Sequence, residues 1–213
     1  MRPPEDWRGA RVTLVIAGLT AAAWALAAAL GISDIAAIWG GFIPGRVGGV
    51  EGDEALAPLF LTPLSATLVH SGFAHLALNL IILLFCGRAV ENIIGGPGLL
   101  ILYVAGAYVA AAGQYVVNPS EFTTMIGASG AVSAVLGTYA MLFGRNRVKV
   151  ANPLLALWLN ALWVAAAWIA LQVVVGLTFS RAGIGVAIAA HIGGFLAGML
   201  LSKPLLLLRY RKA

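Results

Sequence analysis

Six stretches of this chain are each long and apolar enough to cross a bilayer, and that succession constrains the fold more than any other feature. They lie near residues 12–32, 66–87, 98–117, 127–144, 153–177 and 183–202. The hydrocarbon core of a bilayer is about 30 Å thick, so a helix needs about 20 mostly apolar residues to span it. The chain is 61% hydrophobic and only 10% charged, against about 25% charged in a soluble average, which leaves no stretch for a soluble domain. The expected fold class is all-α: a polytopic membrane protein whose residues 1–213 form one six-helix domain, with short cytoplasmic tails at 1–11 and 203–213. The first run follows Arg8 and Arg11 like a signal peptide, but its apolar core exceeds the about 7–15 residues of a secretory one.

The basic residues orient the chain. Arg2, Arg8 and Arg11, then Arg88, then Arg145, Arg147 and Lys149, then Lys203, Arg209, Arg211 and Lys212 fall on one side. The other side carries Arg46 and Arg181 against Asp34, Glu51, Asp53, Glu54 and Glu121. The positive-inside rule makes the first side cytoplasmic and puts both termini there. The net charge of +5 is thus accounted for at helix ends, and without a basic stripe interleaved with exposed aromatics no nucleic-acid partner is expected. The lone Cys86 excludes an intrachain disulfide framework.

The connection from Ser33 to about Ser65 is the one long loop. Trp39, Phe42, Ile43, Val47, Val50, Leu59, Phe60 and Leu61 lie in it among glycines and prolines, which predicts a segment folded at the outer membrane interface.

Polar side chains inside membrane helices are costly, so each is a functional hypothesis. Here they are His70, His75, Asn79, Gln114, Ser129, Ser133, Asn160, Gln172 and His191. Counting at about 1.5 Å per residue from the helix ends puts Ser129 about 8 Å, and His75 and His191 about 10 Å, below the outer edge. Segments distant in sequence therefore converge on one layer. Within it, His75 and Asn79 share a helix face, as do Ser129 and Ser133. His191, Gly194 and Gly198 form a further stripe, whose small-xxx-small spacing lets another helix come close. Phe195, beside that stripe, is expected to face lipid.

A serine becomes a nucleophile when a base removes its proton, and acyl transfer needs donors for the developing oxyanion. His191 is the candidate base for Ser129. His75, Asn79 and backbone N–H groups near Ser129 are candidate donors. Every acidic residue falls in a loop, tail or inner helix end, so only a Ser-His dyad is available, without a triad aspartate. The competing reading is that Ser129 only packs and the histidines only bond across helices; Gln114, Asn160 and Gln172 are assigned to that structural role. The soluble-hydrolase elbow G-x-S-x-G is absent, because Gly130 follows Ser129 directly. There is no H-E-x-x-H, and His70 and His75, five apart, are expected to lie off-face, so no metal site is expected.

With these residues in view, the chain resembles the rhomboid family of intramembrane serine proteases. "GASGAVSAVLG" is similar to its G-x-S-G motif, "HSGFAHLALNL" to its His-x-x-x-Asn motif, "AHIGGFLAGM" to its catalytic histidine followed by small residues, and "CGRAVENIIG" to the end of its second helix. The resemblance covers about residues 60–202 and implies a six-helix core, with Ser129 as nucleophile, His191 as general base and then acid, and His75 and Asn79 holding the oxyanion. It implies cleavage of single-span or other transmembrane protein substrates near the outer face, with no cofactor, no nucleotide and no metal. Glu91 would be structural. Two positions depart from the family: Ser133 stands where its better-known bacterial members have an aromatic, and Trp39 has no arginine after it.

The expected protein is thus a multi-pass serine endopeptidase of a bacterial plasma (inner) membrane, in contact with lipid and open to the extracytoplasmic side. The segment Thr178 to Gly183 is expected to cap its cavity. Alternative readings are a catalytically inactive rhomboid-like membrane-protein binder, which would be expected to lose Ser129 or His191, and a small polytopic transporter, which internal inverted repeats would favour.

Overall fold

A peptide group in lipid has no water to bond, so a membrane chain satisfies its backbone within its own helices. The computed structural model describes residues 3–49, 56–144, 150–181 and 186–211. Arg2, Val50, Glu51, Asp53, Glu54, Arg145, Arg147, Lys149, Gly183 and Lys212, on which part of the charge and loop reading rests, lie outside the described residues. Among the described residues the chain is helical, and the one isolated β-bridge joins Phe42 to Met125. The helices are α1 (Arg11–Ala29), α2 (Ser33–Gly40), α3 (Thr62–Ser65), α4 (Phe73–Ile82), α5 (Arg88–Val117), α6 (Ser129–Phe143), α7 (Pro153–Arg181) and α8 (Ile188–Arg209). The fold is an all-helical membrane bundle. Arg11–Ala29, Phe73–Val117 and Ile188–Arg209 are long and apolar enough to cross a membrane, and Leu59–Leu68, Ser129–Phe143 and Trp158–Val174 are shorter apolar helices.

Helix boundaries differ from the apolar runs in ways that matter for the site. The second run begins its helix at Phe73 rather than 66, because residues 66–68 form a 3-10 turn and His70 lies in the link that follows. A π-helical turn, Leu83–Gly87, joins α4 to α5 without a break. The chain then reverses at Gly95, whose φ of 78° and ψ of 163° lie outside the helical region and ahead of Gly96 and Pro97. The contacts on either side require this reversal. Glu91 touches the start of α1, whereas Tyr108 bonds the Phe60 carbonyl and Ala110 lies against Gly130, at the other end of the bundle.

The last run begins its helix at Ile188 rather than 183. It continues to Arg209, so residues 203–209 are helical and form the final turns of α8, with Leu205 buried in the core cluster. At the other terminus, Ala10 is fully buried, Asn92 Nδ2 donates to the Asp6 carbonyl at 2.8 Å, and the Arg88 guanidinium sits 4.8 Å over the Trp7 ring. Of the expected cap Thr178–Gly183, only the part up to Arg181 lies within the described residues. Thr178 through Arg181 are the last turn of α7.

In lipid, apolar side chains gain little by leaving one apolar medium for another, so helices associate where small residues let backbones touch. That is how α6 and α8 meet. A Cβ on Gly194 would collide with the Gly130 carbonyl, one on Gly198 with the Ala134 carbonyl, and one on Gly137 with the Phe195 carbonyl. Thr138 Oγ1 donates to the Gly198 carbonyl at 2.8 Å, closing the contact with a hydrogen bond. Matching 130 with 194 and 134 with 198 makes the two helices parallel. α5 approaches α8 in the same way through Gly113 and Gly193.

Phe195 is buried at 2% exposure rather than lipid-facing, and its ring stacks on Trp168 of α7 at 5.1 Å and 17°. A membrane core and lipid favour the same residue types, so apolarity alone did not distinguish the two environments.

The long connection is folded. Phe42 and Met125 exchange both backbone hydrogen bonds, at 2.9 and 2.7 Å, and Gly45 N–H donates to the Glu121 carbonyl at 2.9 Å. Phe42 and Ile43 are buried, while Trp39 and Phe60 stay exposed.

Candidate active site

Three helices begin where the site lies. His75 is in the first turn of α4, Ser129 is the first residue of α6, and His191 is in the first turn of α8. None of these helices has a side-chain N-cap, the cap positions being Gly72, Ala128 and Ala187. The first N–H groups of a helix lack intrahelical acceptors and carry the positive end of its dipole, so this layer is suited to a developing negative charge. Depth counting had put these residues inside spanning helices; the structure puts them at helix starts instead.

The approach to Ser129 is non-helical, and its backbone groups have partners. Met125 pairs with Phe42, Gly127 N–H donates to the Ala66 carbonyl at 2.8 Å, and Ala128 N–H donates to His70 Nε2 at 3.3 Å. Gly127 is required here, because its φ is +108° and a Cβ would lie 2.6 Å from His75 Nε2. The first intrahelical bond of α6 is Val132 N–H to the Ala128 carbonyl. The Ser129 N–H, at the first helical position, is therefore outside the helix ladder.

Ser129 Oγ lies 2.7 Å from His191 Nε2, and His191 Nδ1 lies 2.8 Å from Gln172 Oε1. His75 comes to the same place, its Nε2 beside Gly127, while its Nδ1 lies 3.2 Å from Ser71 Oγ. Asn79 is buried one turn along. One hydrogen of its amide goes to the His75 carbonyl at 2.9 Å, which leaves a second to give. A recess of about 10 Å³, the room one water needs, reaches Ser129 between Thr67, Gly127, Gly130 and Ala190.

Residues 60–208 match the family profile described as Rhomboid domain, which covers more than half of the sequence. The chain belongs to the rhomboid family. Among its relatives, the putative rhomboid protease YdcA of Bacillus subtilis (strain 168) is 27% identical over 143 residues, covering 67% of this chain and 64% of that protein. Rhomboid protease GluP of the same organism is 28% identical over 138 residues, covering 65% of this chain and 24% of that protein. The chain therefore spans less than two thirds of the length of either rhomboid relative.

Within this rhomboid chain, Ser129, His191 and His75 come together, Asn79 supports His75 from its own helix, and Ser133 is buried near Gly194. Three further residues belong to the site. Gln172, expected to be structural, lies at the far side of His191. Ser71 holds His75, and the signal for it was present, since it lies four residues before that histidine. His70 was set aside as off-face from His75, which assumed one helix through both. Because α4 starts only at Phe73, the two rings meet edge to face with centroids 4.9 Å apart. Glu91 lies away from the site, with Oε1 accepting from Val12 N–H at 2.9 Å and Oε2 from Thr13 N–H at 2.8 Å and Thr13 Oγ1 at 2.7 Å.

Proposed function

We propose that this chain is an intramembrane serine endopeptidase that cuts transmembrane proteins with a Ser129–His191 dyad. The observation that carries the reading is the 2.7 Å contact between Ser129 Oγ and His191 Nε2, made between two helices far apart in sequence at a shared layer of helix starts. His191 Nε2 takes the hydroxyl proton as Oγ attacks the substrate carbonyl. The oxyanion that forms faces the Ser129 N–H, His75 and the second amide hydrogen of Asn79. With Ser71 donating to Nδ1, His75 Nε2 carries the proton and can donate it. Collapse of the intermediate expels the amine, which takes the proton from His191. A water then hydrolyses the acyl ester by the same sequence, with His191 again as base and then acid.

The six apolar runs make six spans in this reading. Both termini are cytoplasmic, and the site opens to the extracytoplasmic side of a bacterial inner membrane. A substrate helix hides its carbonyls in its own hydrogen bonds, so helix-breaking residues near the cut expose the bond to be attacked.

The test is purified protein reconstituted with a panel of single-span substrates, comparing wild type with Ser129→Ala and His191→Ala. Cleavage is expected only from wild type, and a fluorophosphonate should label Ser129 in wild type but not in His191→Ala. Cleavage by Ser129→Ala, or labelling that survives removal of His191, rejects the dyad.

A further inference from the structure

Gln172 is a long polar side chain with 4% exposure in a membrane bundle, and its amide oxygen lies against His191 Nδ1. Its placement is part of a ladder. α7 and α8 run antiparallel here, with Gln172 opposite His191 and, four residues along each helix, Trp168 stacked on Phe195. The stack fixes the register of the two helices, so the backbone geometry itself sets residue 172 opposite residue 191.

A neutral imidazole has one nitrogen that donates and one that accepts, and the bond at one nitrogen decides the state of the other. For His191 to take the Ser129 proton, Nε2 must be bare and Nδ1 must carry hydrogen. That N–H needs an acceptor in a buried place, and no carboxylate occupies the position. We propose that Gln172 is a positioning residue, whose Oε1 accepts from His191 Nδ1 and holds the ring in the tautomer and rotation that aim a bare Nε2 at Ser129. This rests on the dyad reading. During the transfer the Oγ proton moves to Nε2, Nδ1 keeps its own, and Gln172 is chemically unchanged, so the same bond orients base and conjugate acid. Being uncharged, the amide orients the ring without a full negative charge opposite the imidazolium.

Among the described residues, the groups that face His191 are Ser129 from α6, Gln172 from α7 and, across the site, His75 from α4. α5 presents Ala110 and Gly113 to this part of α8, and neither titrates. A carboxylate placed at 172 would therefore be the one new charge that the imidazole meets.

The experiment uses the reconstituted full chain as wild type, Ser129→Ala, Gln172→Leu and Gln172→Glu. It measures kcat and KM on one cleaved single-span substrate, the rate of fluorophosphonate labelling, and kcat/KM against pH. Gln172→Leu should lower kcat and the labelling rate at least about 10-fold with KM unchanged, because the ring loses the partner that sets its tautomer. Gln172→Glu should recover labelling and move the acid limb of kcat/KM to higher pH, since a carboxylate opposite Nδ1 stabilises the imidazolium. Wild-type kcat in the leucine variant overturns the proposal. So does equal impairment in both variants with an unmoved acid limb, which is the outcome of a purely structural glutamine. Failure of the dyad itself shows separately, as equal behaviour of wild type and Ser129→Ala.

Discussion

Two helix N-termini in this molecule are built in opposite ways. α1 begins at Arg11 with no side-chain cap of its own, yet both oxygens of the buried Glu91 carboxylate reach its first turn and accept from Val12 and Thr13. α6 begins at Ser129, also uncapped, and among the described residues no carboxylate lines the recess in front of it. Both starts present the same unpaired N–H groups and the same dipole. At α1 the chain supplies the anion permanently, which fastens one helix to another. At α6 it leaves the place open beside a serine and a histidine, so the proposed reaction supplies the negative charge only as it forms. A helix start can thus serve as a fastening or as a site, depending on whether a residue occupies it.

The sharpest way to break this comparison is to remove a donor from the open end. His75→Ala should lower kcat about 10²–10³-fold, the loss expected for one oxyanion donor, while membrane insertion and thermal stability stay near wild type. A rate that does not change would take His75 out of the open end.

Next comes the seat that brings the base to that end. Leucine at Gly194 must push α8 away from the Gly130 carbonyl, and a displacement of about 1 Å at the reacting atoms can cost about 10²-fold. Gly194→Leu should therefore lose about that much turnover at matched membrane expression. Phe195→Leu, which gives up a ring stack worth about 0.5–1.5 kcal/mol, should show a modest loss of stability and a smaller loss of rate. Full activity in Gly194→Leu would reject the contact as a determinant of catalysis.

The smallest effect on rate belongs to the closed end. Glu91→Ala strands the buried Thr13 N–H and hydroxyl and the part-buried Val12 N–H, at about 1–3 kcal/mol for a buried group, and should lower the unfolding midpoint markedly. The activity of the molecules that remain folded should be unchanged. Loss of specific activity without loss of stability would mean that the closed end communicates with the site.

The residue types at the site were legible in the sequence because polar side chains are conspicuous in apolar runs, and four-residue spacing places them on shared faces. Ser129, His191 and His75 could be named on those grounds, and the stripe at Gly194 and Gly198 pointed to a close helix contact. Helix starts were not legible. Ahead of Phe73 the residues His70, Ser71 and Gly72 do interrupt the apolar run, but ahead of Ser129 the helix is stopped in a long-range setting, at Gly127, whose φ is positive and whose N–H donates to the Ala66 carbonyl. The partner of Gln172 was not legible for a related reason. Nothing in its neighbours along the chain reveals that α8 brings His191 opposite it. Phe195 was misjudged because core and lipid select the same side chains.

The bridge between Phe42 and Met125 bears on the order in which a nascent chain becomes reactive. Synthesis delivers the amino-terminal third first, so the Phe42 backbone that will pair with Met125 is made before the serine leaves the ribosome. The docking template thus precedes the nucleophile. His191, on the last helix, arrives after both, and Gln172 only shortly before it. On the proposed chemistry a partly translated chain holds the hydroxyl with no base to activate it, and so cannot cleave until α8 has packed.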